Sequence, residues 1–326
     1  MSSPAPATVS EAKALQRALL SWYRANRRDL PWRRTRQPYA IWVSEIMLQQ
    51  TRVAAVLEKY AEFLHRFPTV KSLADAKLDD VLTVWSGLGY YRRARALHQA
   101  AQMVVHHMHG KFPESAAEWR KLPGIGRYTS AAIASIVFHE PVAVVDGNVE
   151  RVLERLFGER HESDGVWARA DELLAHHAPG DWNQAMMELG ATLCTPQNPQ
   201  CLVCPVHTWC KTRGSIATQR QPKRKRSELW YSLHQRKGKV LLVQRSQQHS
   251  LMAGMWELPA IIAAKKAEPL YRLRHSITDT DYAVFVMKGG GPAVKGKWVT
   301  HEEARRIALT GLARKILRMH FAQERT

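Results

Sequence analysis

The sequence predicts a two-part chain, mostly α-helical over its first two-thirds and α+β beyond. Three observations carry that reading. From about Glu11 to Leu193 apolar residues recur at helical spacing, with short Gly- or Pro-marked turns between. Next comes a polar, basic stretch, from Arg213-Gly214-Ser215 to Gln221-Pro222-Lys223-Arg224-Lys225-Arg226, which has nothing to bury. Past that stretch the pattern changes to short apolar runs bounded by turn residues. The 326 residues, 45% of them hydrophobic, suffice for two cores. No run approaches the roughly 18 to 20 apolar residues of a membrane-spanning helix, and a soluble protein is expected.

Lys and Arg outnumber Asp and Glu by 48 to 29, a formal charge of +19. Such an excess points to a polyanionic partner such as nucleic acid, with binding that weakens steeply in salt. An acidic membrane surface would also suit the charge, but no basic amphipathic anchor is present. A purely solubilising role is opposed by the self-repulsion that so large an excess adds to the compact state.

In chain order, residues 1–9 read as a disordered tail and 10–213 as the helical domain. The stripe Val43, Ile46, Met47, Gln50, Val53, Ala54, Leu57, Tyr60, Ala61 and Leu64 predicts one long amphipathic helix over roughly 43–65, with Glu45 and Arg52 off the stripe. Leu122-Pro123-Gly124-Ile125-Gly126-Arg127-Tyr128-Thr129 lies between a short helical stretch and the small-residue helix Ser130 to Ser135, a helix–hairpin–helix signature. Gly124 and Gly126 can turn the backbone tightly against a phosphate, and the free N–H groups of the following helix terminus can bind that anion. Such contacts fix register without reading sequence. Asp146, twenty residues past Gly126, precedes the helical run Glu150 to Leu153 and is placed as an N-cap. The helix dipole favours its charged form, so a structural cap and an anionic catalyst are compatible. Residues 214–228 read as a linker. Its basic run could be a nuclear import signal, but a solvated segment skimming DNA fits better. In the second domain, 229–326, Leu229 to His234 and Val240 to Gln244 flank Lys237-Gly238-Lys239 like a hairpin. Tyr282 to Met287 reads as a strand and Thr310 to Phe321 as a closing helix.

Cys194, Cys201, Cys204 and Cys210, the chain's four cysteines, are spaced C-x6-C-x2-C-x5-C. Two disulfides would suit a small secreted domain without a core, which this is not. Four thiolates suit tetrahedral zinc or an iron–sulfur cluster, and spacing alone does not separate the two.

The hairpin, the Asp twenty residues on and the cysteine loop together resemble the endonuclease III superfamily of DNA repair glycosylases, over roughly residues 15–212. Within it, Leu30-Pro31-Trp32-Arg33, Ser44 to Thr51 (SEIMLQQT) and Gly87-Leu88-Gly89-Tyr90-Tyr91 resemble the adenine DNA glycosylase (MutY) family, as does Asn183 to Gly190. The resemblance implies a helix–hairpin–helix glycosylase domain with an iron–sulfur loop over 194–210, and a [4Fe–4S] cluster on the four cysteines. It implies Glu45 as the acid that protonates adenine at N7 and Asp146 as the anion that stabilises the cationic sugar. Trp32, Arg33, Leu48 and Gln184 match the adenine-pocket positions, and Gln50, Thr51 and Tyr90 match positions that touch the DNA around the lesion. As purely structural residues, Trp32 and Leu48 would be core, Tyr90 would pack under its glycine turn, and Glu45 would be a solvated helix carboxylate. Bifunctional relatives carry Lys where this chain has Tyr128, so an amine nucleophile is missing and a monofunctional enzyme is expected, with Tyr128 and Asn148 assisting near the sugar.

Met255-Trp256-Glu257-Leu258-Pro259 and the strand pattern resemble the family's C-terminal Nudix-like domain, which recognises 8-oxoguanine. The acidic pattern of a catalytic Nudix helix is missing between Gly238 and Lys297. Where the family's recognition loop usually reads Phe-Ser-His, this chain has Ile277-Thr278-Asp279. Thr278 keeps a hydroxyl, but the acid beside DNA predicts a weaker preference for 8-oxoguanine over guanine. The implied partner is duplex DNA carrying A:8-oxoguanine or A:G mispairs, with no membrane. The expected setting is a monomer in the cytoplasm or nucleoid of a bacterium. A non-catalytic DNA-binding protein with a structural metal would share the hairpin and cysteines but have no use for Glu45 with Asp146.

Overall fold

The computed structural model describes residues 8–160, 163–213, 224–246, 248, 252–263, 268–289 and 295–323. Its helices are α1 (Val9–Asn26), α2 (Pro38–Leu48), α3 (Val53–Arg66), α4 (Val70–Ala74), α5 (Leu78–Trp85), α6 (Arg92–His107), α7 (Ala116–Trp119), α8 (Arg127–Phe138), α9 (Gly147–Phe157), α10 (Ser163–Glu172), α11 (Pro179–Thr192), α12 (His301–Arg305) and α13 (Gly311–Gln323). The strands are β1 (Lys225–Leu233), β2 (Gln235–Arg236), β3 (Lys239–Gln244), β4 (Trp256–Glu257), β5 (Tyr271–Ile277), β6 (Thr280–Lys288) and β7 (Lys297–Val299). The chain divides into two compact units, Met1–Ala74 with Gln99–Arg220, and Asp75–His98 with Gln221–Thr326. No helix among the described residues is long and apolar enough to cross a membrane.

The first unit is helical, as expected. α1 starts at Val9 because Thr8 and Glu11 form a reciprocal capping box, each side chain bonding the other's backbone N–H. Leu15, Leu19 and Tyr23 of α1 pack on Leu153 of α9 and on Trp182 and Leu189 of α11 in one buried core. Gly180 lets α11 cross α8 closely: a Cβ there would lie 2.7 Å from the Ser135 carbonyl oxygen. Gly190 does the same against α9, where a Cβ would meet Asn148 Cβ at 2.7 Å and its carbonyl oxygen at 2.8 Å.

The single helix expected over 43–65 is instead two. α2 ends at Leu48 and α3 begins at Val53, with Gln50 between them in the left-handed region at φ 53°. Periodicity alone suggested continuity because the polar Gln49 to Arg52 segment contains no Gly or Pro. In fact Ile41 to Met47 is buried all round, whereas α3 buries one face through Val56, Tyr60 and Phe63.

Among its described residues the second unit contains two sheets. One has the order β1-β6-β5, with β1 parallel to β6 and β5 antiparallel to it; the other has β2-β3-β4, with β7 also on β3. The expected hairpin about Lys237-Gly238 is present, but only β2 pairs with β3 there. β1 leaves before it to join β6, and it begins at Lys225, inside the segment read as linker. Residues 214–223 of that segment lie outside the described residues. Leu233, Val240, Leu242, Val284 and Val286 pack against Ile316, Leu317 and Phe321 of α13. The α+β expectation therefore holds.

Candidate active site and nucleic-acid interface

The hairpin before α8 is built by Gly124 at φ 77°, a left-handed conformation that favours glycine, and by Gly126, the N-cap of α8, which faces open space. The N-terminal amides of α8 begin beside this glycine, so α8 presents the positive end of its dipole there. Two residues in, Tyr128 turns inward. Its hydroxyl donates to Glu45 Oε2 at 2.9 Å and contacts Met187 Sδ at 3.3 Å, joining α8 to α2 and α11.

Glu45 is not a solvated helix carboxylate; it is 5% exposed. Burial pushes its carboxyl up to about 7. The Tyr128 hydrogen bond pulls it down, the nearby negative charge of Asp146 pushes it further up, and Arg33 pulls it down. The Tyr128 hydroxyl is held well above its ordinary range, first by burial and then by the charge of Glu45.

Asp146 is the N-cap of α9. Its Oδ1 accepts from the backbone N–H of Asn148 at 2.9 Å and of Val149 at 2.8 Å, and its Oδ2 accepts from Asn148 Nδ2 at 2.9 Å. Asn148 Oδ1 in turn accepts from Arg151 at 3.0 Å, and Arg151 also donates to the carbonyls of Gly190 at 2.7 Å and Cys194 at 2.9 Å. A continuous hydrogen-bonded chain thus runs from Asp146 to the first cysteine.

Trp32, Arg33 and Gln184 line a cavity of about 250 Å³ together with Arg24, Arg36 and His139. Trp32 is buried, edge-on to Tyr60 at 5.3 Å. Arg33 is held by the buried Glu188, which it meets at 2.8 Å; Arg28 grips the same carboxylate with two guanidinium bonds of 2.8 and 2.7 Å. These ion pairs hold the Glu188 carboxyl down at about 2, against the upward push of its burial. Leu48 and Thr51 are half-buried, while Gln50 is exposed at the break between α2 and α3. The neighbouring Gln49 donates to Thr129 of α8 at 2.9 Å.

The structure thus pairs Glu45 with Tyr128 and Asp146 with Asn148, sets Asp146 within electrostatic reach of Glu45 and Tyr128, and places Trp32, Arg33 and Gln184 at one cavity. In the second unit, Tyr90, at φ 45°, and Thr278, at φ 51°, line another cavity of about 430 Å³. Sequence reasoning missed Glu188 with Arg28, and also Arg151. Each acts through partners about 40 to 160 positions away, and no local spacing marks them.

The four cysteines line one shared cavity with Arg155, whose guanidinium lies 3.3 Å from Cys194 Sγ. Among the described residues, no group of three or more His, Cys, Asp or Glu is arranged to hold a single metal ion. Burial and the neighbouring thiols push Cys204 up to about 11. A crowded four-sulfur set of this kind is relieved by a cationic centre that binds it as thiolates.

Residues 43–174 match the family model of the HhH-GPD superfamily base excision DNA repair protein. In solved structures, the chain resembles a thermostable thymine-DNA glycosylase (TM-score 0.59, 28% identity, 64% of this chain and 98% of that one). It shares the fold of endonuclease III in a non-covalent DNA complex (TM-score 0.56, 22% identity, 64% and 97%). The human adenine DNA glycosylase is 34% identical over 97% of this chain and 76% of its own length. Those of Rattus norvegicus (45% identical) and Arabidopsis thaliana (38%) match 65% and 81% of this chain, and 44% and 50% of their own lengths. The chain belongs to the adenine DNA glycosylase family.

Proposed function

We propose that this chain hydrolyses the N-glycosidic bond of adenine mispaired with 8-oxoguanine or guanine in duplex DNA and leaves an abasic site. The observation that carries the reading is the proton-holding environment of Glu45 beside Asp146. Cleavage needs a proton on the leaving base and a negative charge near the sugar as it becomes an oxocarbenium ion, and two carboxylates in contrasting surroundings divide that work. Glu45, with its carboxyl near 7, keeps a large share of its proton at neutral pH. Because Oε2 accepts from Tyr128, the other oxygen is the one to deliver the proton to adenine N7. Asp146 lies at the N-terminus of α9 with its oxygens bonded by three N–H donors, which fix the carboxylate where it would face the cationic sugar.

The base must leave the duplex first. Trp32, Arg33, Leu48 and Gln184 receive it, Gln50, Thr51 and Tyr90 touch the helix around the gap, and the Gly124–Gly126 hairpin grips the backbone. Thr278 faces the base opposite adenine. Tyr128 occupies the place of an amine nucleophile and is committed to Glu45, so the sugar is attacked by water, with Asn148 steadying Asp146. Cys194, Cys201, Cys204 and Cys210 would hold a [4Fe–4S] cluster, which when bound cross-links the loop from Pro196 to Trp209. Arg155 and Arg151 tie that loop to α9. A non-catalytic DNA-binding protein would have no use for a proton-holding Glu45 beside Asp146.

The reading is tested by single-turnover adenine release from duplexes with adenine opposite 8-oxoguanine, guanine or thymine, with borohydride trapping alongside. Release from the first two without an efficient covalent adduct is expected. An efficient adduct with the wild-type protein refutes the monofunctional assignment.

A further inference from the structure

Arg224, the residue before β1, has a task that its charge alone does not suggest. β5 and β6 are joined by the two-residue turn Thr278–Asp279, between the paired Ile277 and Thr280. Thr278 sits there at φ 51°, a conformation disfavoured for a β-branched side chain. Such a residue persists only where its surroundings over-determine it. Among the described residues its own hydroxyl bonds to its immediate neighbours, the Ile277 carbonyl at 2.8 Å and Asp279 Oδ1 at 3.3 Å, and so does not anchor the turn to the rest of the sheet.

The β5–β6 pairing that closes a two-residue turn asks for a positive φ at that position, and the first residues of β1 and the one before it add to the constraint. Arg224 Nη2 donates to the Thr278 carbonyl at 2.8 Å, and Arg224 Nε donates to Asp281 Oδ1 at 2.7 Å. That same Asp281 oxygen accepts from Ser276 Oγ at 2.6 Å, so one guanidinium spans both sides of the turn. Lys225 donates its backbone N–H to the Asp279 carbonyl at 3.0 Å, and its ammonium lies 3.4 Å from the Asp279 carboxylate. The parallel ladder of β1 on β6, starting at Lys225 opposite Thr280 and Arg226 opposite Asp281, fixes where these side chains emerge.

We propose that Arg224, assisted by Lys225, is a positioning residue for recognition of the base opposite adenine. It holds Thr278 in its left-handed conformation at the cavity shared with Tyr90 and offsets the charge of Asp279 and Asp281 that would otherwise repel DNA. The inference rests on the reading of Thr278 as the contact to 8-oxoguanine. Exposed ion pairs contribute little as bare charges. Arg224 matters through geometry, because it holds a backbone carbonyl and a carboxylate at once. Lys225 gives the acid at position 279 a partner, which a bare acid beside DNA would lack.

The test is Arg224→Ala in the full-length protein, read as the ratio of single-turnover rates and of Kd values for adenine opposite 8-oxoguanine over adenine opposite guanine. The expected result is a fall in that ratio of roughly 3- to 10-fold, with faster amide exchange at Asp279 and Thr280. In a Thr278→Asn background, where the left-handed conformation is tolerated, the same Arg224 change should move the ratio much less. An unchanged ratio with unchanged exchange overturns the proposal. Equal losses on both duplexes with a shallower salt dependence also overturn it, showing Arg224 to be a phosphate contact. If the wild-type protein shows no preference for 8-oxoguanine, the reading of Thr278 fails instead, whatever Arg224 does to the exchange of the turn.

Discussion

Replacing Glu45 by Gln should make the protein more stable at neutral and alkaline pH while nearly abolishing its activity. The Glu45 carboxyl sits at about 7 in the fold against an ordinary 4.5, chiefly because it is buried. Below pH 4.5 it is protonated in both folded and unfolded chains, and its ionisation costs the fold nothing. As pH rises from 4.5 to about 7 the unfolded chain ionises first, so the fold loses stability across that window. The gap corresponds to roughly 3 kcal/mol, fully expressed above pH 7. Glutamine removes the titration and retains an oxygen that can accept from Tyr128. Denaturant unfolding of the two proteins should therefore agree near pH 4.5 and diverge by pH 8, with Glu45→Gln ahead by up to about 3 kcal/mol. Its adenine release should fall on the order of 10²- to 10⁴-fold. A stability difference that does not change with pH would refute the argument that burial holds the proton on Glu45.

Other outcomes follow from the same geometry. Tyr128→Phe removes the hydrogen bond that draws Glu45 downward, so the alkaline limb of the rate should move to higher pH; a move to lower pH would contradict the assignment. Glu188→Gln leaves Arg28 and Arg33 without their shared carboxylate and should destabilise the fold by about 2 to 4 kcal/mol in urea unfolding. The Glu188 contribution is present above pH 4.5 and is lost as pH falls towards 2, so the gap between wild type and Glu188→Gln should narrow in acid. Gly190→Ala drives a methyl into Asn148 and its backbone, and should lower both melting temperature and adenine release, whereas alanine at Gly126, which has open space, should leave the melting temperature nearly unchanged.

Much of the site was legible in the sequence because its signals are local. Asp146 before a helical run is a cap in any context, and the structure shows its carboxylate bonded to the amides two and three residues on. Gly124 and Gly126 also announce their turn without outside help. What could not be read depends on partners far along the chain. The break at Gln49 to Arg52 follows from the burial of α2 on all sides, which periodicity cannot distinguish from one long amphipathic face. The Glu188 grip on Arg28 and Arg33 spans about 160 positions, and the grouping of 75–98 with the C-terminal residues spans more. Asp279 looked like an uncompensated acid until the strand pairing placed Lys225 beside it.

The account's central claim is that Glu45 donates the proton that releases adenine. Its most direct test is the pH dependence of single-turnover adenine release from a duplex with adenine opposite 8-oxoguanine, for wild type and Glu45→Gln. The account predicts a wild-type rate that falls above about pH 7, as Glu45 loses its proton, and a low Glu45→Gln rate without that limb. A limb near pH 7 that persists in Glu45→Gln, or adenine release at wild-type rates by that variant, would contradict it.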